Sequence, residues 1–382
     1  MRAVADSRDR IASLDTMRGV IMVVMALDHT RDYWTNAAFG PTDAEQTTVA
    51  YFLTRWVTHL CAPWFMLLAG AGAALSLARR DKASLSRFLV TRGLWLIVLE
   101  LTVLNVAWKG ATFDPTFMRV MILCALGASM IALAGLVYTP RWFVLAFALV
   151  LILGHDALDK ITPDDVGAFA PVWKVFHQVG IIGAEPGKGF SVLVLYPLVP
   201  WLGVMALGYW AAPWMTSLAP ERRARTFALL GLALLGAFAI VRGFTDYGDR
   251  SPWEPLATST QTAMSFMDLS KYPPSLDFLL ATIGVGLLLL AAIDATSTHW
   301  RVFRTYGRVP MFYYLVHVAL ISGTYELVHR FATGHWRRDD EWGFGLGVVY
   351  AAWLAYVVAL YPLCRWFEGV KARRRDWWLG YL

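Results

Sequence analysis

Arg18 and His29 stand eleven residues apart in SLDTMRGVIMVVMALDHTRDYW, an otherwise apolar run from Ser13 to Trp34. At about 3.6 residues per turn that is about three turns, so the two side chains leave nearly the same helix face, roughly 16 Å apart. Asp32, three residues beyond His29, can share that face, whereas Asp28 is rotated by about 100°. A carboxylate that holds one imidazole nitrogen fixes the tautomer and makes the other nitrogen more basic, which is what a general base requires. His29 with Asp28 or Asp32 is therefore the first candidate catalytic set, and Arg18 a candidate binding group. The plain alternative is a histidine that hydrogen-bonds a neighbouring helix.

Two further apolar stretches carry an imidazole. His59 lies in YFLTRWVTHLCAPWFMLLAG, at a depth comparable with His29 if that stretch runs the other way, and is a second catalytic candidate. GRVPMFYYLVHVALISG places His317 eight residues beyond Val309, about 12 Å along a helix, with Tyr313 one turn before it. Both are candidates to hold a substrate carbonyl or to bridge helices, and His59 or Tyr313 could donate to an oxyanion. KYPPSLDF (271–278) reads as a loop entering an apolar helix, with Asp277 just inside; Asp277 is a further binding candidate, if it does not simply pair internally with the other intramembrane polar groups Glu100, Asn105 and Glu326. No metal is expected, because no local His or Cys spacing supplies a third ligand. Cys61, Cys124 and Cys364 all fall in apolar stretches and read as small core residues. No phosphate-binding glycine loop is present, which removes nucleotide hydrolysis and dinucleotide redox chemistry from consideration.

These groups need a membrane to position them. Of the 382 residues 57% are hydrophobic and only 16% charged, with 18 Trp and a mean hydropathy of +0.49, against about 25% charge in a soluble domain. Windows of about 20 apolar residues give about ten spans, near 14–34, 55–78, 87–107, 117–138, 141–156, 191–213, 225–242, 274–294, 309–330 and 344–366. The fold class is thus an all-α polytopic bundle, one domain over 1–382, with a polar N-terminus (1–13), a long connection at 157–190 that is re-entrant or interfacial, and a basic tail (367–382). No cleavable signal peptide is expected at MRAVADSRDR. An even number of spans puts both termini on one side. RRDKASLSR, ERRAR, Arg301, Arg304, Arg308 and the tail gather there, so the positive-inside rule makes that side cytoplasmic. The net charge of +6 follows from this bias, and no nucleic acid partner is implied. The partner is the lipid bilayer.

The opening helix resembles that of the heparan-alpha-glucosaminide N-acetyltransferase catalytic-domain family, and the ten residues between Arg18 and His29 match the Arg-x10-His signature of type 3 and YeiB-like membrane acyltransferases. THLCAPWFMLLAG (58–70), YPLVPWLGVMALGY (196–209), KYPPSLDFLLATIG (271–284) and GRVPMFYYLVH (307–317) fit the bacterial members in the same order, covering almost the whole chain. The resemblance implies a multi-pass enzyme of the bacterial inner membrane. In it acetyl-CoA or another acyl-CoA on the cytoplasmic side would donate to a glycan or other acceptor outside, with a homodimer left open. It puts His29 in the place of the acceptor-activating histidine and Arg18 in that of the motif arginine. The lysosomal enzyme of the family carries its catalytic histidine in the first outer loop. Loop 35–58 here has none, so the role passes to His29 or His59 or the activity is absent. Two other classes compete: a proton-coupled transporter or flippase using the same Asp and His groups, and a non-catalytic membrane subunit.

Overall fold

The computed structural model describes residues 7–110, 113–296, 300–336, 342–374 and 376–382; His299 and Arg375 lie outside them. The chain runs through α1 (Ser7–Trp34), α2 (Val49–Thr58), α3 (Cys61–Ser76), α4 (Lys82–Leu99), a π-turn (Glu100–Leu104), α5 (Asn105–Lys109), β1 (Phe117–Val120), α6 (Ile122–Leu136), α7 (Arg141–Gly154), α8 (Ala170–Phe176), β2 (Gly180–Gly183) and β3 (Ser191–Val194). It continues with α9 (Leu198–Ser217), α10 (Pro220–Phe244), α11 (Ser259–Met267), α12 (Leu276–Ala295), α13 (Arg301–Arg308), α14 (Pro310–Thr333) and α15 (Leu346–Arg373). Among the described residues, seven helical stretches are long and apolar enough to cross a membrane: Val49–Ser76, Lys82–Lys109, Arg141–Leu158, Glu221–Phe244, Leu276–Ala295, Pro310–Thr333 and Leu346–Arg373. α10 and α15 show why these faces need lipid. Leu232 and Ile240 on the first and Leu354 and Val358 on the second are largely exposed, as on helices that are apolar all round.

Helices also fall within the other three apolar windows, but differently from a plain reading of hydropathy. α1 is 28 residues long and carries Asp15, Arg18, Asp28, Arg31 and Asp32 within its span. The windows at 117–138 and 191–213 each open on a strand, not a helix. FMRV and SVLV pair in parallel as β1 and β3, with β2 antiparallel on the other side of β3. β-Branched and aromatic residues favour this pairing, and Asn105 clamps β1 by donating to the Arg119 carbonyl (3.0 Å) and accepting from its N–H (2.8 Å). Apart from this small sheet, the described residues form an all-α architecture. The connection at 157–190 holds two 3-10 turns, α8 and β2. Pro140 caps α7 and Pro310 opens α14, but Pro362 lies inside α15, which runs on to Arg373.

α1 is the central helix, packed against α2, α3, α12, α13, α14 and α15, with Met17, Ile21 and Ala26 fully buried. Small residues permit such contacts where lipid offers no hydrophobic drive. A Cβ on Gly19 would lie 1.7 Å from the Phe303 carbonyl oxygen, and one on Gly307 would lie 1.8 Å from that of Asp15. The α1–α13 crossing is thus backbone on backbone. Gly307→Ala is expected to lower the unfolding free energy by about 1–3 kcal/mol, measured by thermal unfolding in detergent; an unchanged midpoint would show that this crossing gives way freely.

Candidate active site

One face of α1 lines a cavity of about 370 Å³ through Arg18, Met22, Met25 and His29, positions spaced by three or four residues as a single helix face requires. At the Arg18 end it is bounded by Arg92 of α4, Arg308 of α13 and Lys371 of α15. Arg18 is held there by Asp15 (2.8 Å) and by the Gly307 carbonyl (3.0 Å), which the glycine crossing brings within reach. Apolar residues of α3 and α6, among them Phe65, Leu68, Leu126 and Met130, form the middle. At the far end stand His29, Asp28, Thr58, Tyr196, Tyr314 and Lys271.

His29 is held by His317. Its Nδ1 lies 2.7 Å from His317 Nε2, with the two rings within 3° of parallel. His317 Nδ1 lies 2.8 Å from the Tyr313 carbonyl oxygen. A carbonyl can only accept, so Nδ1 of His317 carries the proton and, in the neutral ring, its Nε2 is a lone pair. The proton between the rings then belongs to His29 Nδ1. This leaves His29 Nε2 as a lone pair with no hydrogen-bond partner among the described residues. Trp108 packs edge-on against the imidazole, 4.6 Å between centroids. The arrangement can orient His29 through a second imidazole, where the sequence suggested a carboxylate.

The two candidate carboxylates are engaged elsewhere. Asp28 accepts from Arg55 Nη1 at 2.8 and 2.6 Å and from the Thr58 hydroxyl at 2.9 Å, and Arg31 Nη2 stands 3.0 Å away. Asp32 bonds Arg31 at 2.5 Å with its side chain about half exposed. Neither holds a ring nitrogen of His29, because the helix turns Asp28 toward α2 and Asp32 toward the surface. His59 is buried against the Phe278 ring, is not among the cavity-lining residues, and has no hydrogen-bond partner for Nδ1 among the described residues. The Tyr313 hydroxyl is buried without a hydrogen-bond partner among the described residues, its ring packed between Tyr306 and His317. Asp277 sits in a separate buried cluster, 3.9 Å from Arg242 Nη1. No group of three or more His, Cys, Asp or Glu residues suited to a metal occurs among the described residues.

Lys271, Arg55, Thr58 and Tyr196 were missed as site residues by the sequence. Lys271 looks like an ordinary loop lysine, yet it is buried, and the turn that carries it is pinned from three sides. Asp249 accepts from Ser270 N (2.8 Å), Ser270 Oγ (2.6 Å) and Ser275 Oγ (2.7 Å); His155 Nε2 meets the Pro274 carbonyl at 2.8 Å; Arg250 donates to the Tyr272 carbonyl at 2.6 Å. Burial alone would raise the Tyr272 phenol, but the Lys271 ammonium and the Arg55 guanidinium outweigh it and hold the phenol below its ordinary value.

Residues 10–242, well over half of the chain and including Arg18, Asp28, His29 and His59, match the family described as heparan-alpha-glucosaminide N-acetyltransferase, catalytic. The chain belongs to that family. Its membership, with the apolar helices, makes it a membrane protein of acetyltransferase type. The match stops short of α12–α15, which supply His317, Tyr314 and the basic side chains of Arg308 and Lys371, and of the Lys271 turn. No curated protein matches the chain.

Proposed function

We propose that the protein moves an acetyl group from cytoplasmic acetyl-CoA to a hydroxyl or amine of a glycan-type acceptor on the outer side of a bacterial inner membrane. The observation that carries this reading is the one cavity that joins four cations around Arg18 to His29 about three turns further along α1. A coenzyme A donor combines anionic phosphates with a long thioester arm. Arg18, Arg92, Arg308 and Lys371 suit the phosphates, the apolar middle suits the arm, and about 16 Å of helix separates Arg18 from His29. The cationic end is the side where the chain's Lys and Arg collect, which supports ten spans with both termini in the cytoplasm. In this reading His29 Nε2 takes the proton of the acceptor as it attacks the thioester carbonyl, and His317 keeps the imidazole in the required tautomer.

Thermal unfolding of the detergent-purified protein tests the donor. A ligand that binds only the native state stabilises it by about 2.7 kcal/mol at a hundred times its Kd, so acetyl-CoA is expected to raise the midpoint and acetate is not. No shift at saturating acetyl-CoA would turn the assignment toward the transporter or the non-catalytic subunit.

A further inference from the structure

Around the far end of the cavity, three cations, Arg31, Arg55 and Lys271, stand with two carboxylates, Asp28 and Asp32, among the described residues; of these Lys271 and Asp28 line it. Arg55 pairs with Asp28, and Arg31 bridges Asp28 and Asp32. Lys271 has no carboxylate within ion-pair distance among the described residues, although it is 8% exposed and lines the cavity beside His29. Its Nζ lies 5.1 Å from the ring centroid of its own successor, Tyr272. It is close enough to act electrostatically on Asp28, His29 and His59. A desolvated ammonium without a counter-ion is costly, and the pinning of its turn by Asp249, His155 and Arg250 shows that the fold holds it in place.

We infer that Lys271 is the electrophilic partner of His29: its ammonium holds the oxyanion that forms as the thioester is attacked. This rests on the acetyl-transfer reading. The acceptor X–H attacks the thioester carbonyl carbon, the X–C bond forms, the C=O π pair moves onto oxygen beside Lys271, and the X–H proton passes to His29 Nε2. Collapse re-forms C=O and breaks C–S, and the departing thiolate takes the proton back from the imidazolium. Acetyl-CoA and X–H become acetyl–X and coenzyme A, with no other reactant. Tyr196 borders the same end of the cavity, and its hydroxyl lies 3.4 Å from that of Tyr272, whose ring packs beside the ammonium. The cluster of His155, His177, Asp156 and Asp159 does not line the cavity; His155 and Asp156 bond the Pro274 carbonyl and the Leu276 N–H and so work on the turn itself.

The test compares Lys271→Met and Lys271→Arg with the unaltered protein. Turnover of acetyl-CoA is followed with glucosamine as acceptor. Thermal stabilisation is compared between acetyl-CoA and S-carboxymethyl-CoA, whose fixed carboxylate lies one bond beyond the position of the oxyanion. Loss of one oxyanion donor lowers kcat about 100- to 1000-fold, so Lys271→Met is expected to do so at unchanged KM for acetyl-CoA, with Lys271→Arg recovering part. The unaltered protein should favour the anionic analogue, and Lys271→Met should lose that preference. Wild-type kcat in Lys271→Met, or an undiminished preference for the analogue, would overturn the role of Lys271 while leaving the donor reading standing. If neither compound stabilises the unaltered protein, the donor reading falls and this inference with it.

Discussion

Replacing His29 with glutamine should cut acetyl transfer about 100- to 10,000-fold, the range that a positioned general base contributes, while acetyl-CoA still stabilises the protein. The two outcomes separate because the donor's anionic end is assigned to Arg18, Arg92, Arg308 and Lys371, three turns of helix away from the imidazole. Glutamine keeps a side chain of similar reach but offers no basic nitrogen. The companion substitution is His317→Phe. It preserves a ring against Tyr313 and Tyr314 but removes the acceptor for His29 Nδ1–H. The His29 tautomer is then no longer fixed, so kcat should fall while KM for acetyl-CoA stays put. Both enzymes are assayed with radiolabelled acetyl-CoA and glucosamine after thermal unfolding has shown that they are folded. Turnover at the original rate in His29→Gln would remove His29 from the chemistry, and equal turnover in His317→Phe would reduce the imidazole pair to packing.

How much of this was legible in advance follows from the range of each interaction. The face of Arg18, Met22, Met25 and His29 is a local property of a 3.6-residue helix, and the cavity runs along it as the spacing suggests. The helical core of each apolar window was legible for the same reason. Partnerships were not, because the His29–His317 contact spans 288 residues and the Asp28–Arg55 pair joins two helices. Proximity in sequence pointed instead to Asp28 and Asp32 as orienters. Glu100 illustrates a related limit. It stands in an apolar helix without a visible partner in sequence, yet its Oε2 accepts from Leu123 N (2.7 Å) and Cys124 N (3.3 Å), satisfying the first turn of α6. Lys271 was hidden for the opposite reason. Loop lysines are ordinarily solvated, and its burial depends on Asp249, His155 and Arg250 meeting around one turn. The strands escaped notice because FMRV and SVLV are as apolar as the helices they precede.

The largest loss of stability is expected from Asp28→Leu. Asp28 is the shared acceptor of Arg31, Arg55 and Thr58, and all three of these side chains are buried or nearly so. Removing the carboxylate leaves two desolvated guanidinium groups with, among the described residues, Asp32 to answer Arg31 alone, a change that costs about 3–5 kcal/mol when a buried pair is broken from one side. Arg55→Met alone should cost less, because Arg31 still faces the carboxylate at 3.0 Å. A double variant carrying Asp28→Leu and Arg55→Met removes one charge of each sign, so its loss should be smaller than the sum of the single losses by about 0.5–3 kcal/mol, the coupling of contacting groups. Unfolding of the four proteins in one detergent measures that coupling directly, and strictly additive losses would show that the two side chains do not act as a pair. The expected coupling also accounts for the place of Asp28 next to His29, the proposed base. By tying α1 to α2 one residue before His29, the ion cluster fixes the rotation of the helix at the point where the imidazole must meet His317. Asp28 thus serves the site without touching either ring nitrogen, and the same reasoning predicts that Asp28→Asn, which keeps the shape and most hydrogen bonds, retains more activity than Asp28→Leu.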